Sequence, residues 1–134
     1  MTSKDFILIG VELLENQNIE EILSHYKNEK LYKLPFNVLQ KLGIKRTDGH
    51  FDIVFNEIKS QVEMRFVFDK KVVVEYADEN IELKRDQAIL LAISYKFTIE
   101  VLKNLLEETG FKVKSLILNG DKTYVLVLGQ TRKL

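Results

Sequence analysis

The chain has 134 residues, of which 46% are hydrophobic and 30% charged, a size and composition typical of one soluble globular domain. Its 20 basic residues balance its 20 acidic residues, which argues against the strongly positive field of a general nucleic-acid-binding protein. It contains no Cys, which excludes disulfides, thiolate metal sites and a cysteine nucleophile. The apolar runs are too short to span a membrane and the first residues lack a signal-peptide pattern, so we expect a cytoplasmic protein.

The first predicted element is a strand that runs from Phe6 to Val11 and reads FILIGV. A continuous apolar run with β-branched residues is typical of a strand buried on both faces, as in a parallel sheet. The pattern therefore predicts parallel neighbours for this strand.

Two helices are predicted next. Asn18 is a suitable N-cap residue, and Glu21 stands at the capping-box position. The apolar stripe of this first helix consists of Ile19, Ile22, Leu23 and Tyr26. A second helix is predicted over residues 35–42, because Pro35 favours the first helical turn and Gly43 favours the end of a helix.

The middle of the chain alternates apolar and polar residues in four short runs. These runs lie near residues 51–55, 62–68, 72–76 and 81–83. Because polar segments separate them, the sequence predicts an antiparallel β-meander with one packed face and one charged, solvated face.

The last third of the chain predicts a helix and a β-hairpin. Thr98 favours the start of the helix and Gly110 its end. Two strands are then predicted over residues 113–118 and 123–128. Asn119-Gly120 lies between them and favours a tight hairpin turn, since both residue types tolerate positive φ.

Six segments carry a resemblance to a known family. They are Asp5-Phe6-Ile7-Leu8-Ile9-Gly10-Val11-Glu12-Leu13, His25-Tyr26-Lys27, Phe36-Asn37-Val38-Leu39, Val62-Glu63-Met64, Ala92-Ile93-Ser94-Tyr95-Lys96-Phe97, and the helix and strand pair over residues 98–129. In this order they resemble the C-terminal, substrate-binding part of the histidine-specific S-adenosylmethionine-dependent methyltransferases of ergothioneine biosynthesis. The resemblance implies an α+β fold. Its parts are an incomplete class I methyltransferase-like sheet that ends in an antiparallel hairpin, and an antiparallel meander preceded by two helices.

By position, the resemblance implies that Tyr26, Met64, Ala92 and Ser94 line the amino-acid site, with no catalytic residue and no metal among them. Ala92 stands where the family has the Glu that receives the substrate's imidazole. A methyl group cannot accept a hydrogen bond, so the resemblance does not extend to specificity for histidine. On the residue pattern alone, core packing is favoured for Tyr26 and Met64, and Ser94 is equally well explained as bonding the backbone.

The sequence has no G-x-G-x-x-G loop, so it shows no cradle for S-adenosylmethionine in this chain alone. The resemblance implies that residues 1–134 form one domain, and that the family's N-terminal, cofactor-binding half has no counterpart in them. Natural proteins rarely leave an apolar edge strand unpaired. We therefore expect the strand from Phe6 to Val11 to pair with a second copy or with a separate cofactor-binding subunit, and we expect no nucleic-acid or membrane partner.

These observations predict the substrate-binding, C-terminal portion of an amino-acid methyltransferase that is inactive alone. The first alternative is a non-catalytic interaction or oligomerisation module derived from the same fold. The second is an unrelated α+β domain, in which the strands predicted over residues 6–11 and 123–128 are not adjacent.

Overall fold

The structure is a computed structural model that describes residues 5–132. It divides into two compact units: residues 5–18 with 96–132 form the first, and Ile19–Tyr95 forms the second. No helix in the described range is long and apolar enough to cross a membrane. The signal-peptide prediction concerns mainly residues 1–4, which lie outside the described residues.

The described residues form eight strands and three α-helices, with a short 3-10 helix at Arg46–Asp48. In chain order they are β1 (Phe6–Glu12), α1 (Ile19–Ser24), α2 (Glu29–Lys41), β2 (Gly49–Asn56), β3 (Gln61–Phe68), β4 (Val72–Tyr76), β5 (Glu79–Leu83), β6 (Ala88–Tyr95), α3 (Ile99–Glu108), β7 (Phe111–Leu118) and β8 (Tyr124–Thr131).

The first unit is a three-stranded sheet in the order β1-β8-β7, with both pairs antiparallel. Apolar residues of α3 and the sheet form its core. The buried members of this core are Leu13, Leu102, Leu106, Val125 and Val127. Strands β1 and β8 are therefore adjacent, which contradicts the alternative of an unrelated domain. The α+β class is confirmed, and the arrangement is compatible with part of a methyltransferase-like fold.

Two predictions about β1 are wrong. Its hydrogen-bonded neighbour among the described residues is β8, which is antiparallel, so the predicted parallel neighbours are not found. Phe6 and Leu8 are more than half exposed, so the strand is not buried on both faces. The physical reason is that α3 supplies an apolar layer for one side, where Ile9 and Val11 pack against the core.

The hairpin between β7 and β8 is confirmed, but its turn differs from the predicted one. The positive φ falls on Lys122, at 58°, and not on Asn119 or Gly120. Asn119 instead accepts hydrogen bonds through Oδ1 from the backbone N–H groups of Thr123 and Tyr124, each at 2.9 Å. The side chain of Asn119 closes the turn, as Asn side chains commonly do in loops.

The second unit has a three-stranded antiparallel sheet in the order β2-β3-β6, and β4 pairs only with β5 among the described residues. The predicted four-stranded meander is therefore wrong in its connections. Ala77 and Asp78, with φ of 50° and 64°, join β4 to β5 in a tight two-residue turn. The alternation did not reveal β6, because apolar residues occupy both of its faces.

Helix α2 begins earlier than predicted. Asn28 caps it, since its Oδ1 accepts a hydrogen bond from the Lys30 backbone at 2.9 Å. Pro35 lies inside the helix and not in its first turn, so the predicted start is wrong. Gly43 follows the helix with a φ of 84°, as predicted. The apolar core of this unit centres on Leu39, Ile44, Phe66, Phe68 and Val74.

Candidate functional site

A groove with a volume of about 670 Å³ lies in the second unit between α2 and the strands β3 and β6. This volume falls within the range of small-molecule sites, about 300–1,000 Å³. The residues of α2 that line the groove are Lys30, Leu31, Leu34, Pro35 and Val38. The opposite wall comes from the two strands, and Tyr26 contributes from the segment between α1 and α2.

The strand register places the floor of the groove. Met64 of β3 lies directly opposite Ala92 of β6, and Val62 lies opposite Ser94. Residues two apart on a strand share a face of the sheet, so these four side chains form one continuous surface toward α2. All four line the groove.

Apart from Lys30, the polar side chains of the groove are a pair of hydroxyl groups. The Tyr26 hydroxyl donates a hydrogen bond to Ser94 Oγ at 2.9 Å. Backbone hydrogen bonds from Tyr26 N to Leu23 O at 3.0 Å and from Asn28 N to Tyr26 O at 2.9 Å fix the segment that carries the tyrosine. The pair thus presents two hydroxyl oxygens beside apolar walls.

The structure therefore brings together all four residues that the sequence singled out. Tyr26, Met64, Ala92 and Ser94 come from three separate segments and line the same groove. Met64 is buried and so packs in the sheet as well as forming the floor. Ser94 accepts a hydrogen bond from the Tyr26 side chain, whereas the residue pattern alone explained Ser94 equally well as bonding the backbone.

Sequence reasoning missed the apolar wall that α2 contributes. Leu31, Leu34 and Val38 are exposed, and Leu34 is 77% exposed. Their spacing matches one face of a helix, and this signal was available in the sequence. It was lost because the predicted helix began at Pro35 and so left out the first two of these residues.

A buried carboxylate on the other face of β3 was also missed. Glu63 accepts hydrogen bonds at Oε1 from Asn56 Nδ2 at 2.9 Å and from Gln61 Nε2 at 2.8 Å, and its Oε2 pairs with the Arg65 guanidinium. Hydrogen bonds from Arg65, then from Gln61 and Asn56, lower the pKa of Glu63 to about 2. The predicted solvated face of the meander is therefore wrong here, since Gln61 and Glu63 are both buried.

No group of three or more His, Asp and Glu side chains within residues 5–132 is placed to hold a metal ion. His50 Nδ1 lies 2.8 Å from Asp69 Oδ1 at an exposed position.

The described residues do not fit an adenosylmethionine cradle of the glycine-loop type. Such a cradle needs a glycine-rich connection from a strand to the start of a helix. The two strand-to-helix connections that could supply one, from β1 to α1 and from β6 to α3, read LLENQN and KFT, without glycine. The two glycines with positive φ, Gly43 and Gly110, follow helices instead.

Comparison with known proteins identifies a family. No curated protein matches the chain. The model of the family described as histidine-specific methyltransferase, SAM-dependent, matches residues 1–131. Because this match covers nearly the whole sequence, the chain belongs to the SAM-dependent, histidine-specific methyltransferase family.

Proposed function

We propose that this chain binds and orients the amino-acid substrate of an adenosylmethionine-dependent methyltransferase, and that a separate polypeptide binds the methyl donor. The observation that carries the proposal is the groove. Tyr26, Met64, Ala92 and Ser94 line it together, although they come from distant parts of a sequence whose family acts by SAM-dependent methylation.

The chemistry of the groove suits positioning. Methyl transfer to an amine depends on holding the nitrogen in line with the donor methyl group, and well-oriented reactants gain effective molarities of about 10⁵–10⁸ M. The apolar walls exclude water from the substrate. The hydroxyls of Tyr26 and Ser94 supply directional hydrogen bonds, which fix the substrate's orientation about its long axis.

The edge of β1 supports the second half of the proposal. Within the described residues β1 pairs on one side only, with β8. The backbone N–H and C=O groups of its other edge are a template for a further strand. The exposed side chains of Phe6 and Leu8 add apolar area beside that edge. We propose that a strand of the donor-binding polypeptide pairs here.

This proposal is tested by purifying the chain with its partner from the native source. Calorimetry then measures adenosylmethionine binding, and an assay with radiolabelled adenosylmethionine measures methyl transfer. We expect the isolated chain to bind no adenosylmethionine, and its complex to bind it and to methylate an amino acid. Leu8→Lys introduces a charge beside the edge and should release the partner in sedimentation velocity. Ile117→Lys, on the exposed side of the other edge strand β7, is the matched control and should not. A complex that binds no adenosylmethionine contradicts the proposal.

A second candidate function is a non-catalytic oligomerisation module. The misfit to a donor cradle favours it, as does Ala92, whose side chain cannot hydrogen-bond a substrate. This candidate predicts that the chain self-associates through β1, that Leu8→Lys yields a monomer, and that no amino acid binds. Binding of an amino acid in the groove would contradict it.

A further inference from the structure

We infer that the groove selects an amino acid with an aromatic, uncharged side chain, and that the substrate's carboxylate lies beside Lys30. This inference rests on the proposed function, because it assumes that the groove is the amino-acid site. It goes further by naming the side-chain class that the walls accept and the cation that recognises the carboxylate.

The apolar wall of α2 is the first observation. Leu34 and Val38 line the groove and are exposed, although large aliphatic side chains are usually buried. A ligand with an apolar side chain covers them and removes that area from water, whereas a polar side chain gains nothing from this wall.

The floor is the second observation. Ala92 and Met64 face each other across β3 and β6, and neither side chain offers a good hydrogen-bond acceptor. The ring N–H of an imidazole that lies over Met64 and Ala92 would lose its water without a replacement from either side chain, which is costly. The Met64 thioether, in contrast, makes favourable contacts with aromatic rings. The floor therefore favours a carbon-rich aromatic ring over imidazole.

The charge distribution is the third observation. Lys30 is the one charged side chain from the described residues that lines the groove, and no described Asp or Glu lines it. Lys30 is the second residue of α2, whereas Val38 lies about 12 Å farther along the helix axis. The groove thus has a cationic end and an apolar end, which matches a carboxylate joined to an apolar side chain.

Isothermal titration calorimetry on the full chain tests the inference with L-tryptophan, L-phenylalanine, L-histidine and tryptamine, which lacks the carboxylate. We expect the better of the two aromatic amino acids to bind at least about tenfold more tightly than histidine, the cost of one unpaired buried polar group. Lys30→Gln should weaken tryptophan binding by about two- to fivefold, as for a solvent-exposed ion pair. It should leave tryptamine binding unchanged.

Three variants sharpen the test. Lys33→Gln, on the same helix but outside the groove, is the matched control for Lys30→Gln and should change nothing. Leu34→Ser should weaken aromatic binding without unfolding the chain, because Leu34 is largely exposed. Ala92→Glu should shift the preference toward histidine by restoring an acceptor for the imidazole.

The outcomes separate this inference from the proposed function. If wild type binds histidine as tightly as the aromatic amino acids, the inference is wrong and the proposed function stands. If no amino acid binds, both are wrong. If Lys30→Gln and Lys33→Gln behave alike, the carboxylate is not at Lys30. Self-association of the chain that Leu34→Ser abolishes would show that a second copy occupies the groove, which also overturns the inference.

Discussion

Replacement of Lys96 by Met should destabilise the first unit strongly. Lys96 follows β6 in the chain, and its side chain is only 2% exposed. Its Nζ lies 2.5 Å from Oε2 of Glu12, the last residue of β1, whose side chain is 24% exposed. The ion pair therefore ties the end of β1 to the segment that enters α3, beside the backbone hydrogen bond from Leu14 N to Phe97 O at 2.9 Å.

The magnitude follows from burial. Removal of one partner of a buried ion pair costs about 3–5 kcal/mol, because the other charge is left in a poorly solvated site. Since Glu12 keeps about a quarter of its exposure, we expect the lower end, about 3 kcal/mol. Urea denaturation followed by circular dichroism measures this loss. The double variant Glu12→Gln/Lys96→Met should recover part of it, because no charge is then buried alone.

Lys71→Met is the matched control. Lys71 Nζ lies 2.7 Å from Glu82 Oε2, but both side chains are exposed, and such surface pairs contribute about 0–1 kcal/mol. If Lys96→Met costs no more than Lys71→Met, the reasoning from burial is refuted.

Three further predictions concern the backbone and the buried carboxylate. Gly49→Ala should lower the free energy of unfolding by about 3 kcal/mol in urea denaturation, since the new Cβ would lie 2.1 Å from the Val67 carbonyl oxygen. Gly120→Ala is the control and should be nearly neutral, because no atom lies within 4 Å of its Cβ position. Equal losses of stability in the two variants would contradict the prediction. Lys122→Gly should stabilise by about 1 kcal/mol, because Lys122 has a φ of 58°; a lower urea midpoint would argue against it. The pKa of Glu63 falls from 4.5 to about 2 on folding, so its ionised form stabilises the protein above about pH 4.5 and this contribution is lost as the pH falls through 2. In Glu63→Gln the urea midpoint should therefore depend less on pH over this range. If the dependence of the midpoint on pH is the same in the variant and in wild type, the assignment is contradicted.

The elements with strong local signals were predictable from the sequence. Thr98 caps α3 through its side chain, which accepts a hydrogen bond from Val101 N at 3.2 Å, and the hairpin after α3 forms around Asn119. These features depend on neighbouring residues, so a short stretch of sequence contains their cause.

The connections of the second sheet were not predictable in this way. Strand β3 pairs with β6 and skips β4 and β5, a choice set by which apolar faces fit together and not by any local pattern. Pro35 was equally misleading, because a proline favours the first turn of a helix but tertiary packing overrides that preference here. The burial of Glu63 depends on three partners, of which Asn56 lies on a different strand.

The candidate site was predictable only in part. The resemblance supplied Tyr26, Met64, Ala92 and Ser94, and the structure places them in one groove. It could not supply Lys30 or Leu34, because the α2 wall depends on where that helix begins and how it packs on the sheet.

The two faces of β3 have a consequence for how this chain can diverge. Met64 faces the groove, and its neighbour Glu63 sits in a network of hydrogen bonds on the reverse side. Insertion or deletion of one residue before this point would exchange the faces of the two side chains. The Glu63 carboxylate would then face the apolar groove, and the Met64 thioether would lie among the amides and the guanidinium on the reverse side. We therefore expect strand β3 to tolerate no insertion or deletion of a single residue. New ligand preferences in this lineage should arise by single replacements on β6 or on the exposed side of α2, where an altered side chain leaves the strand pairing intact.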